Sequence, residues 1–255
     1  MSILLSLALP AGTVSASNET TTGTITGTET WAGVHTLTGD VTIAPGAKLI
    51  INPGATIEFP NGTHLDVRGS LCAGVSSCGA SSNAGPAMRI TLRWSEPTNS
   101  SAIGECYGMS SGNQEIWIDD PSCSEGVLMR SSIDLSETGL RYVTFDSAWG
   151  IPQYVSAVGE FRYGALVLDG ASPTLTELSF NQINTSSVLT TNLAQPTFNG
   201  GEFVVGADAS TSIVGAALQI YSSGSSVSPF VLSDISLTGT NNGCGNRDGG
   251  RHTIW

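Results

Sequence analysis

Positive charge is scarce in this chain. Nine lysines and arginines stand against 21 aspartates and glutamates among 255 residues, and Lys48 is the single lysine. A formal net charge of -12 leaves no basic footprint for a nucleic acid or an anionic lipid surface. Long hydrophobic runs are missing too. No stretch approaches the ~18 apolar residues that span a bilayer, so no membrane span is expected within the chain. Core helices of three turns are equally absent from the pattern, because Gly, Ser or Pro interrupts every candidate. Three histidines, His35, His64 and His252, lie too far from any nucleophile motif to suggest a triad.

What is present is small, polar and uncharged. Glycine (31 residues) with serine and threonine (61 together) makes up over a third of the chain, yet 40% is hydrophobic. That balance excludes low-complexity disorder and suits a β-rich secreted protein.

The N-terminus has a short apolar run, Ile3 to Leu9, and then Val14-Ser15-Ala16, a small-x-small cleavage pattern. Residues 1–16 therefore read as a signal peptide, although the positive n-region is missing; the bland alternative is a short buried strand. Thr20, Thr22, Thr24, Thr26, Thr28 and Thr30 follow at every even position. Residues 17–30 read as a Thr-rich linker open to O-glycosylation, or as an N-terminal strand showing one Thr face. A flat Thr ladder can bind ice, but a single unrepeated row is poor support for that. Arg251 to Trp255 resemble the start of a strand, which suggests that the domain over 31–255 is truncated.

Residues 41–68 carry the main signal. Written in eights they read VTIAPGAK, LIINPGAT, IEFPNGTH and LDVRGSLC. Val41, Leu49, Ile57 and Leu65 fill the first column; Ile43, Ile51, Phe59 and Val67 fill the third. Two apolar residues two apart point the same way from a short strand. Gly46, Gly54 and Gly62 then turn the chain, with Pro45 and Pro53 setting φ before two of them. The eighth column, Asp40, Lys48, Thr56 and His64, is polar and expected outside. Three such sides make a coil of roughly 24 residues, a period that signals a solenoid. A meander of hairpins competes, but Pro-Gly does not give the primed turns that hairpins favour.

Further along, an apolar triad recurs with spacing 0, +3, +5: Leu140, Val143, Phe145; Leu175, Leu178, Phe180; Leu232, Ile235, Leu237. Apolar strands precede the last two, at 165–168 and 216–220. Offsets of 35 and 57 residues exceed one plain coil, so insertions are expected at 147–163 and 184–213.

VTIAPGAKLIINPGATIEF followed by LDVRGSL resembles the N-terminal coils of secreted right-handed parallel β-helix proteins with the pectin-lyase-like fold. Ser172-Pro173-Thr174-Leu175, leading to Leu178-Ser179-Phe180, resembles their later repeat. The resemblance implies an all-β right-handed parallel β-helix over 31–255, with roughly nine coils and loop insertions. It does not choose among lyases, hydrolases, tailspikes and adhesins.

Five cysteines in an exported chain read as disulfides. Cys72 and Cys78 bracket a small loop and are expected to pair; Cys106 and Cys123 bracket an irregular segment and form the second expected pair. Cys244 is left over. Metal-ligand spacing is absent, so no metal site is expected. Sequons at Asn18, Asn61, Asn99 and Asn184 make glycosylation chemically feasible.

A glycoside hydrolase needs two carboxylates flanking the glycosidic oxygen. Asp119 and Asp120 are the adjacent acidic pair, read more simply as solvated acids before the Pro121 turn. Of the four motifs that polygalacturonases combine, only an Asp-Asp occurs here. A lyase needs an Arg or Lys base with Ca²⁺, and Arg141, Asp146 and Asp169 complete the catalytic candidates. No cofactor is expected; Ca²⁺ is the one ion considered, with Asn246 and Asp248 as oxygen donors in a Gly-rich turn. Gly108 to Gly112 matches Gly-x-Ser-x-Gly without the strand and helix a nucleophile elbow requires. Trp94, Trp117, Trp149 and Tyr154 lie in or beside the insertions and are candidate sugar platforms. The expectation is a secreted or cell-surface module in non-catalytic contact with an extracellular polysaccharide or cell-surface glycan, or in a structural role. The alternative is a polysaccharide lyase or glycoside hydrolase.

Overall fold

The computed structural model describes residues 22–95, 124–156, 159–183, 185–205, 217–221 and 231–239. Among them the structure is nearly all β, with short 3-10 turns and no α-helix. The first turn of the chain holds β1 (Gly23–Ile25), β2 (Thr28–Trp31) and β3 (Val34–Thr36). The second holds β4 (Val41–Ile43), β5 (Lys48–Ile51) and β6 (Thr56–Phe59). The third holds β7 (His64–Val67), β8 (Ser70–Ala73) and β9 (Ile90–Trp94). The fourth holds β10 (Gly126–Arg130), β11 (Gly139–Arg141) and β12 (Val143–Asp146), after which β13 (Ile151–Val155) folds back on the next strand. Later turns merge two strands into one: β14 (Glu160–Asp169) with β15 (Thr174–Asn181), β16 (Ser186–Thr191) with β17 (Thr197–Val205), and β18 (Leu218–Ile220) with β19 (Val231–Gly239).

Apart from β13, which pairs antiparallel with β14, each strand pairs in parallel with the equivalent strand one turn later. The smaller sheet runs β1-β4-β7-β10-β14-β16-β18. The larger has one arm from β2 through β5, β8 and β11 into the first half of β15; the other runs from β3 through β6, β9 and β12 into its second half. β17 and β19 then stack on β15. The arrangement is solenoid-like, with seven turns among the described residues. The uniform period behind the expectation of roughly nine coils does not hold throughout: β7 and β10, adjacent in the sheet, are 62 residues apart in sequence, His64 pairing with Gly126.

The period of 24 holds where the eights predict it: Val41 pairs with Leu65 and Ile43 with Val67. Inward columns run along the stack, as in Ile25, Ile43, Val67, Met129 and Leu168, all buried. Each such side chain contributes about 1.5–3 kcal/mol of transfer free energy. A ladder of rings threads the same interior. Phe59 stacks on Trp94 at 4.4 Å, Trp94 on Phe145 at 6.4 Å, and Phe145 on Phe180 at 4.8 Å; Phe203 follows at 5.2 Å.

Two corner designs join the strands. Early turns use Pro-Gly or Asn-Gly, with Gly46, Gly54 and Gly62 at φ +78°, +78° and +73°, the conformation expected for them. Later turns bend at one left-handed residue: Tyr142 (φ 51°), Glu177 (φ 54°), Gly200 (φ 74°) and Asp234 (φ 56°). Each stands at +2 of the apolar triad. That single bend is why the inward residues fall at 0 and +3 instead of 0 and +2.

One expectation changes here. Residues 184–213 are not simply an insertion, because they contain β16 and β17, a complete turn of the stack. The 57-residue offset from Leu175 to Leu232 is two steps, Leu175 to Phe198 and Phe198 to Leu232. The hidden unit is Phe198, Gly201, Phe203, and its glycine at +3 masked the triad. Within the 17–30 segment read as a linker or a strand, Gly23–Ile25 form β1, and Thr28 begins β2, which runs on to Trp31.

Candidate functional site

The three catalytic candidates among the described residues, Arg141, Asp146 and Asp169, do not converge on one point. Asp146 lies on β12 in the larger sheet, where Arg93 Nε approaches its carboxylate at 3.0 Å and Asn181 donates to it at 2.8 Å. Asp169 lies on β14 in the smaller sheet, accepting from Thr191 and Asn192 with Arg130 at 3.7 Å. Arg141 ends β11 and donates Nε–H to the Ala84 carbonyl at 3.1 Å. The two carboxylates thus belong to different sheets and already have cationic partners. Asp119, Asp120, Trp117, Cys106, Cys123 and Cys244 lie outside the described residues, as do residues 1–16 and the turn at 241–250.

The aromatic candidates divide. Trp94 is a correction: it is 1% exposed, lies inside the ring ladder, and donates its indole N–H to the Thr63 carbonyl at 2.8 Å. Its position beside an irregular segment suggested exposure, but the alternation of β9 turns it inward. Trp149 is also buried, so it offers no sugar platform either. Tyr154 on β13 is 53% exposed and keeps the candidate role. The predicted disulfide Cys72–Cys78 is present, its loop packed with Ala80 against Ile50 and Val75 on the outer face of the larger sheet.

Three polar groupings emerge instead. On the smaller sheet, Asp66 is bound by Arg68 (2.7 Å) and Arg130 (3.0 Å), and Arg130 reaches on to Asp169. Charges in this group balance, and the pairs tie consecutive turns together. The second is Glu125, almost wholly buried before β10. Its two carboxylate oxygens accept N–H groups from Gly62 at 2.8 Å and Trp149 at 3.0 Å, one turn to either side. Burial pushes its pKa up to about 7, while those two hydrogen bonds pull the other way.

The third grouping lies on the outside of the larger sheet. Arg89 and Arg141 both stack on the Tyr142 ring, with guanidinium carbons 5.4 and 5.3 Å from its centroid. Arg89 also donates to the Thr144 hydroxyl (3.1 Å) and the Glu177 carbonyl (2.8 Å). Beside it an outward row of half-buried hydroxyls, Thr56, Thr91, Thr144 and Ser179, runs from turn to turn through paired positions. This corner and its hydroxyl row form a continuous polar strip on the outside of the larger sheet. Arg141 was legible as a candidate, though as a base. Arg89 and Tyr142 were missed; the 0, +3 spacing around Tyr142 was the available sign of an outturned corner. Among the described residues no group of three or more His, Cys, Asp or Glu could hold a metal ion. No family model matches the sequence, and no curated protein or solved structure matches it either, so the resemblance to secreted β-helix proteins rests on the repeat itself.

Proposed function

We propose that this chain is a right-handed parallel β-helix exported to the cell surface or beyond, where it works without catalysis as a rigid module in contact with glycan. The connections support a right-handed path. Apart from β13, which pairs antiparallel with β14, the strands return in parallel to their own sheet after a crossover, and such connections are right-handed in about 98% of cases. Export is supported by the Cys72–Cys78 disulfide, since such bonds persist in oxidising compartments.

The observation that carries the non-catalytic reading is the fate of the carboxylates. Asp66, Asp146 and Asp169 are each engaged by arginine across turns, so they brace the stack. Glycoside hydrolysis needs two carboxyl groups flanking one bond, one of them able to give up a proton. Glu125 has a suitably raised pKa, yet both its oxygens face backbone N–H groups.

The test is an assay of new reducing ends and unsaturated products on acidic and neutral polysaccharides, with and without Ca²⁺, alongside binding to the same panel. Binding without new chain ends is the expected result. Appearance of cleavage products would overturn the proposal and make Glu125, Asp119 and Asp120 the first residues to replace.

A further inference from the structure

We propose that Arg89, Tyr142 and Arg141 form a binding site for an oxyanion carried on a polysaccharide, either a sulfate ester or a uronate carboxylate. The proposal rests on the glycan-contact reading and names the chemistry its ligand must have.

The first argument is a contrast in charge. Lys48, Arg68, Arg93 and Arg130 each have a carboxylate within ion-pair distance: Glu137, Asp66, Asp146 and, for Arg130, both Asp66 and Asp169. Arg89 and Arg141 have none among the described residues. Two guanidinium groups are nevertheless held against one ring in a protein that is strongly acidic overall. Two cations gathered at one corner without a carboxylate raise the local positive potential, which favours an anion there.

Hydrogen-bond capacity points the same way. Arg141 uses Nε on the Ala84 carbonyl, and Arg89 uses Nε on Thr144 and one terminal nitrogen on the Glu177 carbonyl. A guanidinium has five N–H donors, and among the described residues no partner takes either terminal nitrogen of Arg141 or the second of Arg89, which leaves them for a ligand. Glu177 does not compete, because its carboxylate lies over Gly200 of the next turn. The guanidinium fork matches the paired oxygens of a carboxylate or sulfate.

The site is also held in place before any ligand arrives. Each arginine is anchored by a backbone carbonyl, and the Tyr142 ring gathers the two cations by cation–π attraction. Little conformational freedom is left to lose on binding. A polymer is favoured over a lone ion by the neighbouring row Thr91, Thr144 and Ser179, which repeats from turn to turn at about the 4.8 Å spacing of adjacent strands.

The experiment measures binding of the full chain to dextran sulfate, polygalacturonate and unsubstituted dextran at physiological salt. Binding to at least one charged polymer and not to dextran is expected, and which polymer binds identifies the anion. Arg141→Gln should weaken that binding at least about tenfold, and the double variant R89Q/R141Q should abolish it, as expected for charge-assisted hydrogen bonds. Arg93→Gln, whose charge is already paired, should stay within about twofold of the parent. Arg89 supports two contacts, so the single Arg141→Gln variant keeps the test readable if the double variant is unstable. Unchanged affinity in Arg141→Gln would overturn the site, as would equal binding to dextran or no binding to either charged polymer. Binding to dextran alone would leave the broader glycan reading standing, whereas cleavage of a bound polymer would remove the non-catalytic reading and leave the site.

Discussion

Residues 41–73 and residues 139–239 build the same stack by different means. The early turns space their inward residues by strict eights and bend at Pro-Gly, where glycine takes the left-handed conformation at no steric cost. The later turns merge two strands across a corner of one residue, and three of the four corner residues carry side chains at positive φ. A left-handed L-residue costs roughly 1–2 kcal/mol. The corner shortens from residues 52–55 to residue 142 alone, and in the next turn one strand serves both arms, so backbone strain is accepted where a longer continuous ladder results. It also turns Tyr142 outward, which creates the corner that gathers Arg89 and Arg141. Regularity serves the fold, and departure from it produces the candidate surface.

The two regions are joined at Trp94 and Glu125, and the largest expected effect comes from breaking that junction. Trp94→Ala removes the ring between Phe59 and Phe145 and should cost about 3–5 kcal/mol. Denaturant unfolding followed by probes in each region would read it. A transition that splits into two, with the early turns unfolding separately from the later ones, would sharpen the comparison; loss below 1 kcal/mol would contradict the buried ladder.

Glu125 gives the next effect, and its sign is set by burial. Its folded pKa is about 7 against 4.5 for the free group, so between these values the folded state holds a proton that the unfolded state has released. The contribution of this group is therefore full below pH 4.5 and is lost as pH rises through 7, by on the order of 3 kcal/mol. Urea unfolding of the parent and Glu125→Gln from pH 4 to pH 8 tests this. The variant should lack that slope, and parallel profiles would rule the linkage out.

The smallest effects compare the corners directly. Gly54→Ala places a Cβ at φ +78° in open space, with only the Met88 terminal carbon at 3.9 Å, so strain alone should cost about 1–2 kcal/mol. Glu177→Gly relieves the same strain but adds the entropy of glycine, leaving a gain below about 1 kcal/mol. Opposite signs in calorimetric melting temperature are expected; a loss in both would mean that the Glu177 side chain does more than occupy the corner.

Much of the fold was readable because a strand alternation of two and a glycine-punctuated turn are local properties, recorded residue by residue in 41–68. The turn formed by β16 and β17 was not readable, since Gly201 replaced the apolar residue that would have completed its triad. Trp94 was misplaced for a related reason: it was read by its place beside an irregular segment, while its side chain follows the alternation of β9. The Cys72–Cys78 bond could be named from a gap of six residues, because so short a loop brings the two sulfurs together.

The candidate surface belongs to a different class of information. Arg89 and Tyr142 are 53 residues apart and share no motif, and they meet because β9 and β12 pair in the larger sheet. Gly62, Glu125 and Trp149 meet for the same kind of reason, as corners of three successive turns. Alternation, turn chemistry and loop closure act over a few residues, so the chain's own order specifies them. Which charge faces which depends on the number of residues between stacked strands, and insertions vary that number freely. Only the assembled stack decides it.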